Sequence, residues 1–318
     1  MLTYLTAGES HGPQLTAILD GLPAHLPVSV EQINYQLARR QKGYGRGGRM
    51  KIESDKVNIR SGLRGGKTMG GPLTLVIVNR DWENWQRIMD PTEPLPEDLP
   101  LKERRLAFET TRPRPGHADL PGGIKWHHHD LRNVLERASA RETAARVAVG
   151  SVARQLLEHF DIRIASHVVR IGSVCLPADY PLPDIDEIVE RTEVSEVRCV
   201  DDAVGEQMKE AIRAAKKKRD SLGGIAEVII RGLPAGLGGM SQWSDRLDGR
   251  LAGAMMSIQS VKGVEIGKGF EGARLPGSQF QDEIFYAEGE HPRKKGFYRR
   301  TNNAGGLEGG MTNGEDVV

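Results

Sequence analysis

His11 lies in Gly8-Glu9-Ser10-His11-Gly12, and His117 lies in Arg112-Pro113-Arg114-Pro115-Gly116-His117-Ala118-Asp119. Between them runs Arg39-Arg40-Gln41-Lys42-Gly43-Tyr44-Gly45-Arg46-Gly47-Gly48-Arg49. Imidazole exchanges a proton near neutral pH, and guanidinium is a permanent cation with a planar fork of donors. Together they suit the expulsion of an anionic leaving group, phosphate above all. An anionic ligand favours imidazolium while neighbouring arginines oppose it, so ligand arrival is the event that would load the proton. For either histidine alone, a turn residue bonded to backbone is the plainer account. The arginines around both make the chemical reading the stronger one.

Other patterns carry less. Gly8–Gly12 matches the G-x-S-x-G of hydrolase nucleophile elbows, but only seven residues precede it, leaving no room for the upstream strands that an elbow requires. Arg137 and Arg141 stand four apart on a predicted helix and share a face, with small Ala138 and Ser139 between them. His127-His128-His129 has the wrong spacing for a metal ion, because adjacent helical positions diverge and only the outer two share a strand face. No metal site is expected. Cys175 and Cys199 lack paired spacing and read as reduced structural thiols.

The elements that must position these groups follow from periodicity. Ser29 and Gln32 have capping-box spacing ahead of a helix with Val30, Ile33 and Leu37 on one face. Leu247, Leu251, Met255 and Ile258 recur at helical intervals. A long helix is predicted over Leu131–Phe160, with Ala144, Val147, Ala148, Ser151, Val152 and Leu156 forming a small apolar face. Strands are predicted at 73–78, 167–171, 226–230 and 282–286, and a hairpin over 50–60. Four prolines between Asp90 and Pro100 predict a loop, and Lys216–Arg219 reads as a solvated helix end. Leu15–Ala24 resembles Ala226–Ala235, each a strand-like run closing on Gly-Leu-Pro-Ala. Such a duplication puts helices inside and sheets outside, or the reverse.

Composition bounds the function. Lys and Arg number 44 against 43 Asp and Glu, which argues against a broad nucleic-acid or membrane surface. The local excess from Ala38 to Arg49, five basic residues with no acid, suits a small anionic ligand. That segment also resembles an RGG tract, so an RNA- or phosphate-binding module is the rival from another class. The first residues are too short and polar for a signal peptide, and a cytoplasmic protein is expected.

Taken in order, the motifs resemble those of the chorismate synthase family: Gly8–Gly12 with Leu15–Pro23, Arg39–Arg49, Ser61-Gly62 with Gly66-Lys67-Thr68, Arg114–Leu120, Glu136–Thr143, Gly263–Gly269, and Arg300–Asn303 through Gly309–Gly314. The resemblance implies an α+β fold, a β-α-β sandwich with internal pseudo-duplication and helices packed between sheets, spanning 1–318 as one domain. It implies loss of phosphate from 5-enolpyruvylshikimate 3-phosphate to give chorismate, a 1,4-anti elimination that requires reduced FMN. His117 would protonate the departing phosphate, and His11 would protonate or stabilise the reduced flavin. Ser10, Arg40, Arg46, Arg49, Arg114 and Arg141 would hold substrate anions, and Arg137, Ala138, Ser139, Gln259, Ser260 and Gly309 would contact flavin.

A homotetramer is implied as well, with an external flavin reductase and NADPH as the indirect source of electrons. A flavin oxidoreductase that consumes NADPH in step with product is the nearer rival. Members of the family continue past the Gly309–Gly314 region into a lysine-proline segment and an Arg-Ser-Asp motif. On that basis the chain ending at Val318 is expected to be truncated, to bind flavin weakly and to turn over little.

Overall fold

The computed structural model describes residues 2–45, 54–290 and 294–318. Arg46, Arg49 and the first part of the predicted 50–60 hairpin lie outside them. The described chain divides into two compact units, one built from 1–42 and 46–156, the other from 43–45 and 157–318.

In the first unit, β1 (Thr3–Ala7) and β2 (Gln14–Asp20) form an antiparallel hairpin around the Gly8–Pro13 loop. Helix α1 (Val30–Gln41) follows, its first turn closed by Ser29 Oγ accepting from the Gln32 N–H at 3.1 Å. Next come β3 (Val57–Ser61), the small hairpin of β4 (Leu63–Arg64) and β5 (Lys67–Thr68), and β6 (Leu73–Val78). The antiparallel sheet has the order β1-β2-β6-β3. Strict alternation turns Leu15, Ala17 and Leu19 of β2 inward, where they meet Ile33 and Leu37 of α1 and Leu73, Leu75 and Ile77 of β6.

A 3-10 turn at Arg80–Asn84 leads through the exposed proline-rich loop to α2 (Leu101–Ala107), α3 (Asp119–Trp126), α4 (Arg132–Ala138) and α5 (Thr143–Glu158). The predicted single helix over Leu131–Phe160 is therefore two. Ser139 is extended (φ −61°, ψ 142°), and its hydroxyl accepts from the Arg141 N–H, capping a short 3-10 turn at Ala140–Glu142. Local hydrogen bonding by serine outcompetes the helical ladder there. Beyond the break, Ala144, Ala145, Ala148, Val149 and Val152 of α5 are buried in the same core, whose close packing their small side chains allow.

In the second unit, β7 (Arg163–Ile171), β8 (Val174–Cys175) and β9 (Gly224–Arg231) form an antiparallel sheet of order β8-β7-β9. Helices α6 (Ile185–Val194) and α7 (Asp202–Lys217) are capped by Asp184 and Asp201, and Ile185, Ile188 and Met208 pack with Ala165 and Ile229. There follow α8 (Leu247–Met256), the single turns α9 (Gly269–Gly272) and α10 (Gly277–Phe280), and two short antiparallel pairs. These pairs join β10 (Ile284–Tyr286) to β11 (Phe297–Arg299), and β12 (Leu307–Glu308) to β13 (Met311–Thr312).

The duplication expected from Gly-Leu-Pro-Ala is present bond for bond. In the first unit Thr68 Oγ1 donates to the Pro23 carbonyl at 2.6 Å and accepts the Leu26 N–H at 2.9 Å. In the second, Thr312 Oγ1 donates to the Pro234 carbonyl at 2.6 Å and accepts the Leu237 N–H at 2.9 Å. Pairing of Leu63 with Thr68 repeats as Leu307 with Thr312, and the Pro27–Lys67 bridge repeats as Gly238–Met311. Gly21 and Gly232, which end the two strands, both take left-handed backbone at φ 88° and 91°.

Candidate functional site

The first unit holds both histidines on bends that its sheet and helices fix. Gly8 opens the first bend at φ 107°; a Cβ there would come within 2.3 Å of the Gln14 carbonyl oxygen, so only glycine fits. Asn79, at the end of β6 and buried, ties the loop down by donating Nδ2–H bonds to the carbonyls of Glu9 at 3.1 Å and Gly12 at 2.7 Å. The other side of the loop is held by α4. The Ser10 N–H donates to the Glu136 carbonyl at 3.0 Å, and the His11 N–H donates to Glu136 Oε2 at 2.9 Å. His11 Nδ1 lies 2.9 Å from both Glu136 oxygens. The imidazole packs on Trp85 with ring centroids 4.0 Å apart, and the Arg132 guanidinium lies 5.4 Å from the same indole and 3.4 Å from Glu136.

His117 follows Gly116, whose φ of 72° makes the turn. Its Nδ1 is 2.5 Å from Oδ1 of Asp119, the fully buried first residue of α3. Arg114 grips the same carboxylate through its backbone N–H at 3.1 Å and Nε at 2.9 Å, and its Nη2 lies 3.2 and 3.3 Å from the two ring nitrogens of His117. Burial pushes the Asp119 carboxyl up, but hydrogen bonds from the Arg114 side chain and backbone and from His117 overcome it and lower it to about 2. Arg114 is held above the ordinary guanidinium range, first by its bond to Asp119 and against the cost of desolvation, with the charges of Asp119 and Glu136 adding.

The remaining arginines divide by environment. Arg141 is buried, with Nη1 2.7 Å from both Asp55 oxygens and with Nε and Nη2 donating to Asn79 Oδ1 at 3.0 and 2.8 Å. Arg40 lies 3.6 Å from Asp55 and donates to Thr143 Oγ1 and the Ala140 carbonyl, both at 2.9 Å. Arg137 donates to the Thr6 carbonyl and hydroxyl at 2.8 Å and to the Gly8 carbonyl at 3.3 Å. The break at Ser139 removes the shared helical face expected of Arg137 and Arg141: one grips strand β1, the other the buried Asp55–Asn79 pair. Ser10 is buried and accepts from the Ser139 hydroxyl at 3.1 Å.

Asn79, Asp55 and Trp85 are neighbours of the histidines that sequence reasoning missed, while Asp119 and Glu136 stood inside recognised motifs without a role assigned to them. In the second unit Gln259 is half-buried, Ser260 takes a left-handed backbone at φ 71°, and Gly309 (φ 59°) has no atom within 4 Å on its Cβ side. Within the first unit, the Ala138–Ser139 break offers a hydroxyl and extended backbone of the kind a flavin's polar edge accepts, while the Arg137 guanidinium braces β1.

Two imidazoles, each bonded through Nδ1 to a buried carboxylate and set among guanidiniums, make an arrangement suited to acid–base chemistry on anions, carried on a duplicated α+β fold. A sequence profile of chorismate synthase matches residues 2–318. The chain is 57% identical to a chorismate synthase of Desulforamulus reducens over 318 residues, and 52% identical to one of Enterococcus faecalis over 320 residues, spanning all of this chain and 79% of each relative. A crystal structure of a chorismate synthase superposes with a TM-score of 0.81 at 46% identity, over 99% of this chain and 82% of that one. The chain belongs to the chorismate synthase family.

Proposed function

We infer that this chain catalyses the 1,4-anti elimination of phosphate from 5-enolpyruvylshikimate 3-phosphate, giving chorismate with reduced FMN present and no net redox change. The family match across residues 2–318 is the observation that carries the reading. In the reaction a C–O bond breaks with its electron pair leaving on phosphate, and a ring C–H bond supplies the pair for the new double bond as its proton passes to a base. Reduced flavin, when bound, lends electron density as the C–O bond breaks.

The chain's own residues supply the groups around the departing phosphate. His117 donates a proton to the departing phosphate, with Asp119 holding its Nδ1 so that Nε2 is the donating atom. Arg114 beside it offers the phosphate a cation already locked in orientation. Arg46 and Arg49 are proposed, on the family resemblance alone, to hold substrate anions through the bidentate contacts that guanidinium suits. Arg141 and Arg40 act from behind: their pairing with Asp55 supports giving them the role of fixing the His11 loop, through Asn79, and the Ala140–Thr143 turn. Ser139, with Ala138, is proposed on the flavin. The reading includes a homotetrameric cytoplasmic enzyme supplied with reduced FMN by a separate NADPH-dependent reductase.

Anaerobic incubation with substrate and chemically reduced FMN tests this. Phosphate and chorismate should appear in equal amounts without matching oxidation of pyridine nucleotide. Product formation that tracks NADPH consumption one for one would make the chain an oxidoreductase instead.

A further inference from the structure

Glu136 spends three interactions on two consecutive residues far from it in sequence. Its backbone carbonyl accepts from the Ser10 N–H, its Oε2 accepts from the His11 N–H, and both carboxylate oxygens stand 2.9 Å from His11 Nδ1. The carboxylate is almost wholly buried, with 1% of its side chain exposed, and Arg132 on the preceding turn of α4 lies on it at 3.4 Å. A latch that only pinned the loop would be complete with the two backbone contacts. The side chain is instead brought to the imidazole edge, while Trp85 covers one ring face at 4.0 Å.

We propose that Glu136 is the positioning residue for His11: it holds a proton on Nδ1 and thereby makes Nε2 the atom through which His11 exchanges protons in the reaction. A carboxylate accepts hydrogen bonds, so the ring nitrogen facing two of its oxygens carries the hydrogen. Free imidazole in its neutral form prefers the other tautomer, with hydrogen on Nε2, so the contact reverses an intrinsic preference. The Trp85 ring packs on one face of the imidazole so oriented, with centroids 4.0 Å apart. The proposal rests on the reading of the chain as an acid–base lyase, which assigns His11 a proton-handling role. It adds which nitrogen acts and which residue decides it.

The test uses the full chain without ligand, labelled with 15N-histidine, with the His11 signals assigned by comparison with His11→Gln. At alkaline pH the unaltered protein should show a pyrrole-type Nδ1 and a pyridine-type Nε2 at His11. Glu136→Ala should return the ring to a majority of the Nε2–H form. Glu136→Gln, whose amide oxygen still accepts, should keep Nδ1–H. In turnover, Glu136→Ala should lower kcat on the order of 10²-fold with KM within about threefold, and Glu136→Gln should recover about a tenth or more of the wild-type rate.

A hydrogen on Nε2 in the unaltered protein overturns the proposal, as does an unchanged tautomer in Glu136→Ala or a Glu136→Gln enzyme no faster than Glu136→Ala. If Glu136→Ala fails to fold, the wild-type spectrum and the near-isosteric Glu136→Gln decide alone. Phosphate release by the unaltered chain separately reports whether the lyase reading holds, since the nitrogen signals require no catalysis.

Discussion

At the scale of single residues, a site of this kind is assembled from buried acids as much as from visible bases. Asp119 shows the energetics. Its carboxyl sits at about 2 rather than near the ordinary 3.8, so its charge contributes stability that is fully present above about pH 4 and is lost as pH falls through 2. Asp119→Asn should therefore cost about 2 kcal/mol at pH 7 by urea denaturation, with the gap between variant and wild type closing between pH 4 and pH 2. A gap independent of pH would mean that the loss is one of packing. The same substitution should slow phosphate release by leaving His117 unoriented. His117→Ala, by contrast, should depress kcat far more than substrate affinity, and equal effects on both would remove its acid role. The histidines and Arg114 were legible because residue type and local spacing reveal them. Glu136, Asn79 and Asp55 were not, since their partners lie 125, 67 and 86 residues away and nothing local marks them.

Elements explain where pattern reading succeeded and where it stopped. Strand β6 fell on the predicted 73–78, and α1 began at its predicted serine cap, because alternation and capping are local devices. At Ser139 the local cap on Arg141 is joined by tertiary bonds that periodicity does not register: Ser139 meets Ser10, and Arg141 reaches Asp55 and Asn79. The hydroxyl latches make a sharper test of element-level reasoning. Thr68→Val and Thr312→Val each retain shape and lose a donor and an acceptor buried against backbone, so each should cost about 2 kcal/mol by denaturant unfolding. A neutral effect at either latch would show that its carbonyl and N–H find other partners. Gly8→Ala should be worse than either, since its new Cβ has no room and its φ disfavours any side chain.

For the whole molecule, near-cancellation of charge decides between the two classes of function weighed at the outset. With 44 basic and 43 acidic residues, the chain lacks the long-range field that draws a polyanion to its surface. Single-stranded RNA should show no saturable binding near 0.15 M salt, and a steep salt-dependent isotherm would revive the nucleic-acid reading. Among the described residues no helix is long and apolar enough to cross a membrane. Fold class was readable through the resemblance of the ordered motifs to a family, with which the repeated Gly-Leu-Pro-Ala agrees; the latches that make the repeat structural were not, since each threonine sits more than forty residues from the proline it bonds.

The repeated threonine latch also makes each half a built-in control for the other. Gly21 with Gly232 and Thr68 with Thr312 hold equivalent places, so a lesion in one copy can be read against the same lesion in its twin. The first copy carries the His11–Glu136 contact besides, so damage at Thr68 that exceeds damage at Thr312 in rate but not in stability would measure how far that contact leans on its scaffold.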